Sequence, residues 1–186
     1  MPITIALLRA VNLASHNRIK MEVLRGICES LGCRQVQTLV QSGNVIFKST
    51  ARSSTNLARQ IEQKIEADLG FRPVVVTRTL PELRQIVAEN PFAARNDIHP
   101  SKFLVIFLSA EPTEEACRKV LAMNTEPEEL HIRDRELYMY FPDGLARPKT
   151  SPASIEKVLK VAGTGRNWNV VTKLLALAEA LEKDRA

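Results

Sequence analysis

The chain has 186 residues, 45% of them apolar and 25% charged; it is long enough for one domain or two small ones, and too evenly patterned to be disordered. Its longest apolar runs, such as Ile5 to Leu8 and Leu104 to Leu108, are far shorter than the ~20 residues of a membrane-crossing helix. Basic side chains outnumber acidic ones 26 to 21, a modest surplus that is uneven along the chain. Residues 1–50 hold six basic groups against Glu22 and Glu29, and the stretch from Arg147 to Lys173 holds another six against Glu156 alone. Two basic segments from opposite ends of the chain form one electropositive surface if the fold joins them.

The start Met1-Pro2-Ile3-Thr4 lacks a basic leader, and Arg9 cuts the first apolar run short, so no signal peptide is expected. Cys28, Cys33 and Cys117 make an odd set with no C-x-x-C pair, which fits free thiols in a reducing cytoplasm.

Ile3 to Leu8 is a continuous apolar run and predicts a buried strand. Met21, Leu24, Ile27, Cys28 and Leu31 recur at helical spacing, with Gly32 as the stop. Val36–Val40 and Val45–Phe47 flank Ser42-Gly43-Asn44, a hairpin signal. Leu57, Ala58, Ile61 and Ile65 mark a second helix, opened by Ser53-Ser54-Thr55 and closed at Gly70. Pro73 to Val76 is a further strand. The order β-α-β-β-α-β is the split βαβ of ferredoxin-like folds.

Thr79 with Glu82 is a capping box for a connecting helix that runs to Asn90-Pro91. The second half then repeats the plan. A strand from Lys102 to Leu108 leads into a helix from Thr113 to Met123, followed by strands at Leu130–Arg133 and Leu137–Phe141. A helix opened by Ser151-Pro152 and stopped by Gly163 comes next. The last helix starts near Asn167, where a final strand would stand. The predicted fold class is therefore α+β, with two ferredoxin-like (split βαβ) halves. The second half lacks a final strand and ends in an extra helix. The halves are residues 1–78 and 79–186, the latter with the connecting and terminal helices.

Three polar stretches stand out. They are the long loop from Arg9 to Lys20, the turn Gln41-Ser42-Gly43-Asn44, and Thr164 to Asn169 continuing to Thr172 and Lys173. Leu7-Leu8-Arg9 with Asn12, Gln41 to Phe47, and Arg166-Asn167-Trp168-Asn169 with Lys173-Leu174 resemble domain-of-unknown-function family 1697, a group of uncharacterised bacterial proteins. The likeness covers nearly the whole chain. It implies a pair of ferredoxin-like halves and carries no established activity, cofactor or catalytic residue. It also implies a glycine-rich first loop, where this chain has Ala10 and Ala14-Ser15; bare backbone wrapping a phosphate is less expected here for that reason.

The three stretches supply many donors. Arg9, Asn12, Lys20, Gln41, Ser42, Asn44, Arg166, Asn167, Asn169 and Lys173 are the candidate ligand-binding residues. The set has no Asp, Glu or Cys, and His16 is its one histidine, so an acid/base pair of carboxylates is absent. His16, His99 and His131 show no ligand spacing, and no metal or cofactor is expected. A Ser42–His16 dyad lacks the strand-to-helix elbow that exposes a nucleophile. No glycine-rich nucleotide loop of the usual kinds occurs.

A donor-rich, acid-free set suits an anion, since arginine offers phosphate or carboxylate a planar fork. The best-fitting function is a binding module for a phosphate-bearing or other anionic ligand, a nucleotide or nucleic acid, with no membrane partner. The alternatives are an enzyme acting on a phosphorylated or carboxylated small substrate, with Lys20, Lys173 or His16 as base, or a purely structural role. Structural capping is a full competitor, because Asn and Ser at turns and helix starts commonly bond backbone. Trp168 fits the core better than a stacking site. Phe103, Phe107, Tyr138 and Tyr140 fall on adjacent strands of the second half, the arrangement of RNA-stacking platforms. The core competes for them too, with the phenylalanines expected inside and the tyrosines toward solvent.

Overall fold

The computed structural model of the chain describes residues 1–13, 17–51 and 53–184. It divides into two units, Met1–Gln85 with Lys173–Ala186, and Ile86–Thr172.

In the first unit the apolar run Ile3–Leu8 forms β1, buried along its whole length because it lies at the centre of a four-stranded antiparallel sheet. The sheet order is β2-β3-β1-β4, with β2 at Arg34–Leu39, β3 at Asn44–Lys48 and β4 at Val75–Thr79. Alternation along the strands turns Ala6, Leu8, Val45, Phe47 and Val75 to one face. There they pack with Leu24, Ile27 and Cys28 of α1 (Met21–Ser30) and Leu57, Ala58, Ile61 and Ile65 of α2 (Ser54–Leu69). The caps read from sequence are present. Ser53 accepts from the Asn56 N–H, and Gly70 closes α2 in the left-handed region that glycine enters without a Cβ penalty. The Thr79–Glu82 capping box opens α3 (Leu80–Ala88): the Glu82 carboxylate accepts from the Thr79 N–H at 2.6 Å. Arg84 ties α3 to the C-terminal stretch by ion pairs to Glu179 and Glu182. The first unit therefore runs on to Gln85 and takes up the chain again at Lys173, whereas the sequence places one boundary after residue 78.

The second unit repeats the plan. Its sheet order is β6-β7-β5-β8, with β5 at Phe103–Leu108, β6 at Glu129–Arg133, β7 at Glu136–Tyr140 and β8 at Gly163–Asn167. Helices α4 (Glu114–Leu121) and α5 (Pro152–Leu159) pack with the face carrying Ile106, Leu108, Leu137 and Met139. The expected missing strand is a correction. Gly163–Asn167 forms β8, which pairs with β5 from Leu104↔Asn167 to Leu108↔Gly163. Its sequence, Gly-Thr-Gly-Arg-Asn, has little β-propensity. It holds because Gly163 leaves room for the side chains of β5: a Cβ there would come within 2.6 Å of Ile106 Cγ2. Gly163 is therefore a strand residue, and α5 stops earlier, at Lys160 with φ 56°. Helix α6, Trp168–Lys183, follows β8 directly and supplies the expected terminal helix.

The aromatic expectation is half corrected. The two strands lie side by side, as expected, with Phe103 opposite Tyr140. The tyrosines, however, are as buried as the phenylalanines, with Tyr138 1% and Tyr140 7% exposed. The Tyr138 hydroxyl donates to Ile86 O, Phe92 packs on Phe103 and near Tyr140, and Trp168 stacks on Phe103 with ring centres 4.8 Å apart. That face is a core. Among the described residues, no helix is long and apolar enough to cross a membrane.

Candidate functional site

The β1–α1 connection, residues 9–20, takes its shape from asparagine. Asn12 sits at φ 55°, in the left-handed region that asparagine tolerates better than most side chains. Its Nδ2 donates to Ile19 O at 2.9 Å and to Gln41 O at 2.8 Å, and its Oδ1 accepts from the Ile19 N–H at 2.8 Å. One amide thus closes the loop on itself and clamps it to the β2–β3 turn. Val11 and Ile19 are buried and anchor the two arms of the loop in the core. Ala10 also lies in the left-handed region, at φ 53°, so a position where the family resemblance implies glycine keeps a glycine-like backbone.

The hairpin turn is likewise fixed by an asparagine. Asn44 is fully buried, and its Nδ2 donates to Leu39 O at 3.0 Å and to Ser42 Oγ at 2.9 Å. Gly43 O accepts from the Leu8 N–H at 2.8 Å. Asn12 and Asn44 therefore spend their donors on carbonyls and a hydroxyl, and their work is to fix the walls of the site. Gln41 is exposed beside them. Arg9 is half-buried, its N–H donating to Val74 O. His16 lies outside the described residues, and the Ser42–His16 dyad with it.

These walls enclose a cleft of about 700 Å³ against the start of α1. Arg18, Lys20 and Arg25 line it with Glu22, Asn12 and Gln41, which leaves two positive charges in surplus. Lys20 stands at the N-cap of α1 with extended backbone and no side-chain cap. The leading N–H groups of a helix have no intrahelical partner, and their dipole adds to the positive potential. Arg25 reaches the edge strand, its Nη1 donating to Thr38 Oγ1 at 3.0 Å. Arg18, Lys20 and Arg25 make no ion pair among the described residues. The equivalent helix of the second unit differs: Thr113 caps α4 by accepting from the Ala116 N–H, after a connection of five residues from β5.

Arg18 and Arg25 are the cations missing from the candidates that sequence reading provides. Arg18 lies in the polar loop itself. Arg25 is three residues beyond Glu22 and so on the same side of α1, a spacing that carries a usable signal.

The third motif belongs to the second unit as far as Thr172, and the side chains of Arg166 and Asn167 are engaged there. Arg166 is only 8% exposed, its Nη1 donating to Thr164 Oγ1 at 2.7 Å and Gly165 O at 2.8 Å. Burial lowers its pKa to about 10, since a low-dielectric surrounding disfavours the cation. Asn167 Oδ1 accepts from the Val170 N–H and caps α6. Asn169 is exposed, and Lys173 is exposed where the first unit's share of α6 begins.

The first unit carries a counterpart. Arg78 is 1% exposed on β4, its Nη1 donates to Thr77 O at 2.8 Å, and the next residue, Thr79, caps α3. Arg78 pairs with Ile5 as Arg166 pairs with Val105, each at the third residue of the central strand. The two halves thus share a strand-end arginine followed by a helix cap, a duplication hidden in the residue-by-residue sequence. Arg166→Ala is expected to lower the melting temperature by several degrees, through lost bonds to Thr164 and Gly165 and a cavity, and to leave phosphate affinity unchanged. A thermal melt and a phosphate titration of the same variant check both halves of that expectation.

Among the described residues no group of three His, Cys, Asp or Glu side chains is placed to hold a metal ion. Burial raises the thiols of Cys28 and Cys33 to about 12 and about 11, which keeps them protonated and poorly nucleophilic.

The family model described as "Protein of unknown function (DUF1697)" matches residues 1–138. Among solved structures the chain is similar to conserved bacterial protein SP0830 of Streptococcus pneumoniae. The two share 18% identity and a TM-score of 0.69, over 95% of this chain and 98% of that one, a likeness of fold. No curated protein matches.

Proposed function

The chain belongs to the DUF1697 family of proteins of unknown function, and from its own geometry we propose that it is a binding module for a phosphate-bearing or other anionic ligand, such as a nucleotide or nucleic acid. The observation that carries the reading is the cleft beside α1, where Arg18, Lys20 and Arg25 converge with no ion pair among the described residues. Cations crowded at the positive end of a helix oppose both one another and the dipole. An anion resolves that opposition, and charge-assisted bonds from arginine and lysine are the strong ones. A lysine at the N-cap, where Thr113 serves in the other unit, further supports the reading. The compartment proposed with it is the reducing cytoplasm, in keeping with the free thiols of Cys28, Cys33 and Cys117.

A thermal-shift screen of nucleotides, sugar phosphates and oligonucleotides tests the reading, because a ligand bound to the native state raises the melting temperature by mass action. At least one phosphate-bearing class is expected to stabilise the protein. That gain is expected to shrink with added salt and to vanish in the Arg18→Ala/Lys20→Ala double variant. A screen with no stabilising anion, or one whose gains survive the double variant, contradicts the proposal.

A further inference from the structure

We propose that the cleft selects a phosphorylated sugar over a bare anion, with the cations taking the phosphate and Glu22 accepting a hydrogen bond from a sugar hydroxyl. This rests on the anion-binding reading above and specifies its ligand. Three observations lead to it. A cleft of about 700 Å³ is in the size range of small-molecule sites and far larger than a phosphate needs. Glu22 lines the same cleft as Arg18, Lys20 and Arg25, and is exposed. It forms no ion pair among the described residues, although Arg25 lies three residues on along the same helix side, so its carboxylate remains available to a ligand.

A carboxylate in a site for a plain anion works against binding, since like charges in one cleft repel. It works in favour of a ligand that brings donors along with its phosphate. An ammonium donor would have to enter a cleft with two positive charges in surplus. A hydroxyl donates without charge and meets no such barrier. Gln41, which lines the same cleft and is exposed, offers a further amide to such hydroxyls.

The test is calorimetric titration of the intact protein with ribose 5-phosphate, propyl phosphate and inorganic phosphate, for the wild type and for Glu22→Ala and Glu22→Gln. The wild type is expected to bind ribose 5-phosphate roughly tenfold more tightly than propyl phosphate, the usual size of one charge-assisted hydrogen bond. Glu22→Ala is expected to tighten propyl and inorganic phosphate while loosening ribose 5-phosphate, which erases the preference; Glu22→Gln, which keeps a neutral acceptor, should fall between. Opposite signs for two phosphates are something a merely electrostatic role cannot give. If the wild type shows no preference, or Glu22→Ala tightens all three alike, Glu22 only sets the local potential and the sugar assignment is overturned. If the wild type binds none of the three while a nucleotide or oligonucleotide still stabilises it, the sugar assignment is overturned and the anion-binding reading stands; that reading falls only when those anions fail as well.

Discussion

Gly43→Ala is expected to destabilise the first unit by roughly 2–4 kcal/mol, among the largest effects a single added methyl has in this chain. Two costs combine. Gly43 has φ 71°, where a side chain is strained, and its new Cβ would lie 2.5 Å from Val11 Cγ2 and 2.8 Å from Leu8 Cβ. Both neighbours are buried, so neither can swing aside into solvent. Leu8 belongs to the central strand and Val11 anchors the loop that walls the cleft. The substitution therefore acts on core and site together. Denaturant unfolding monitors the first, and a phosphate titration at a temperature where the variant remains folded monitors the second; both are expected to fall.

Asn12→Asp is expected to cost about 2 kcal/mol at neutral pH although it replaces a single NH₂ by an oxygen. The amide donates to two carbonyls, Ile19 O and Gln41 O, and a carboxylate can only accept. The bond from the Ile19 N–H survives, while the clamp to the hairpin becomes a repulsion. The sign of the pH dependence follows. Two carbonyls left without a donor favour the protonated carboxyl, which recovers one, and this outweighs the opposing pull of Arg18, Lys20 and Arg25 across the open cleft, so the folded pKa of the carboxyl introduced at position 12 lies above its unfolded value of ~3.9. A group raised on folding binds more protons in the native state, and stability is lost as pH rises through that raised pKa. The gap between variant and parent should accordingly be smaller at pH 4 than at pH 7. A gap that widens on acidification would show that Asn12 does not hold the loop through its donors.

The parts of this fold that are legible in sequence are those fixed by local chemistry. The run Ile3–Leu8 announces a buried strand, the 3.6-residue spacing of Met21 to Leu31 announces α1, and Ser53 and Ser151 announce the caps they make. Strand β8 is hidden because what fixes it is non-local. Gly163 leaves room for the Ile106 side chain on β5, and a glycine read alone looks like a helix stop. The polar motifs are legible as donors and illegible as roles, since sequence shows how many N–H groups a stretch offers and not which carbonyls consume them. Asn44 and Arg166 look alike in that inventory to Lys20, yet the first two are turned into the hairpin and the sheet while Lys20 stands at the cleft. Arg25 escapes notice for the converse reason. Its link to the cleft comes from the turn of α1 and from Thr38 on a different strand. The matched arginines Arg78 and Arg166 show the same limit, for only the strand register aligns them.

Anion binding at the start of α1 is tested most directly by mapping backbone amide resonances while inorganic phosphate or ribose 5-phosphate is added at low salt. The groups at issue are the N–H donors of Met21, Glu22 and Val23, the first turn of α1, flanked by Arg18, Lys20 and Arg25. Saturable shifts are expected, concentrated on those amides and on Gln41, reversed by salt and absent from the Arg18→Ala/Lys20→Ala/Arg25→Ala variant. Shifts centred elsewhere, or equal shifts in the triple variant, would contradict binding at this site.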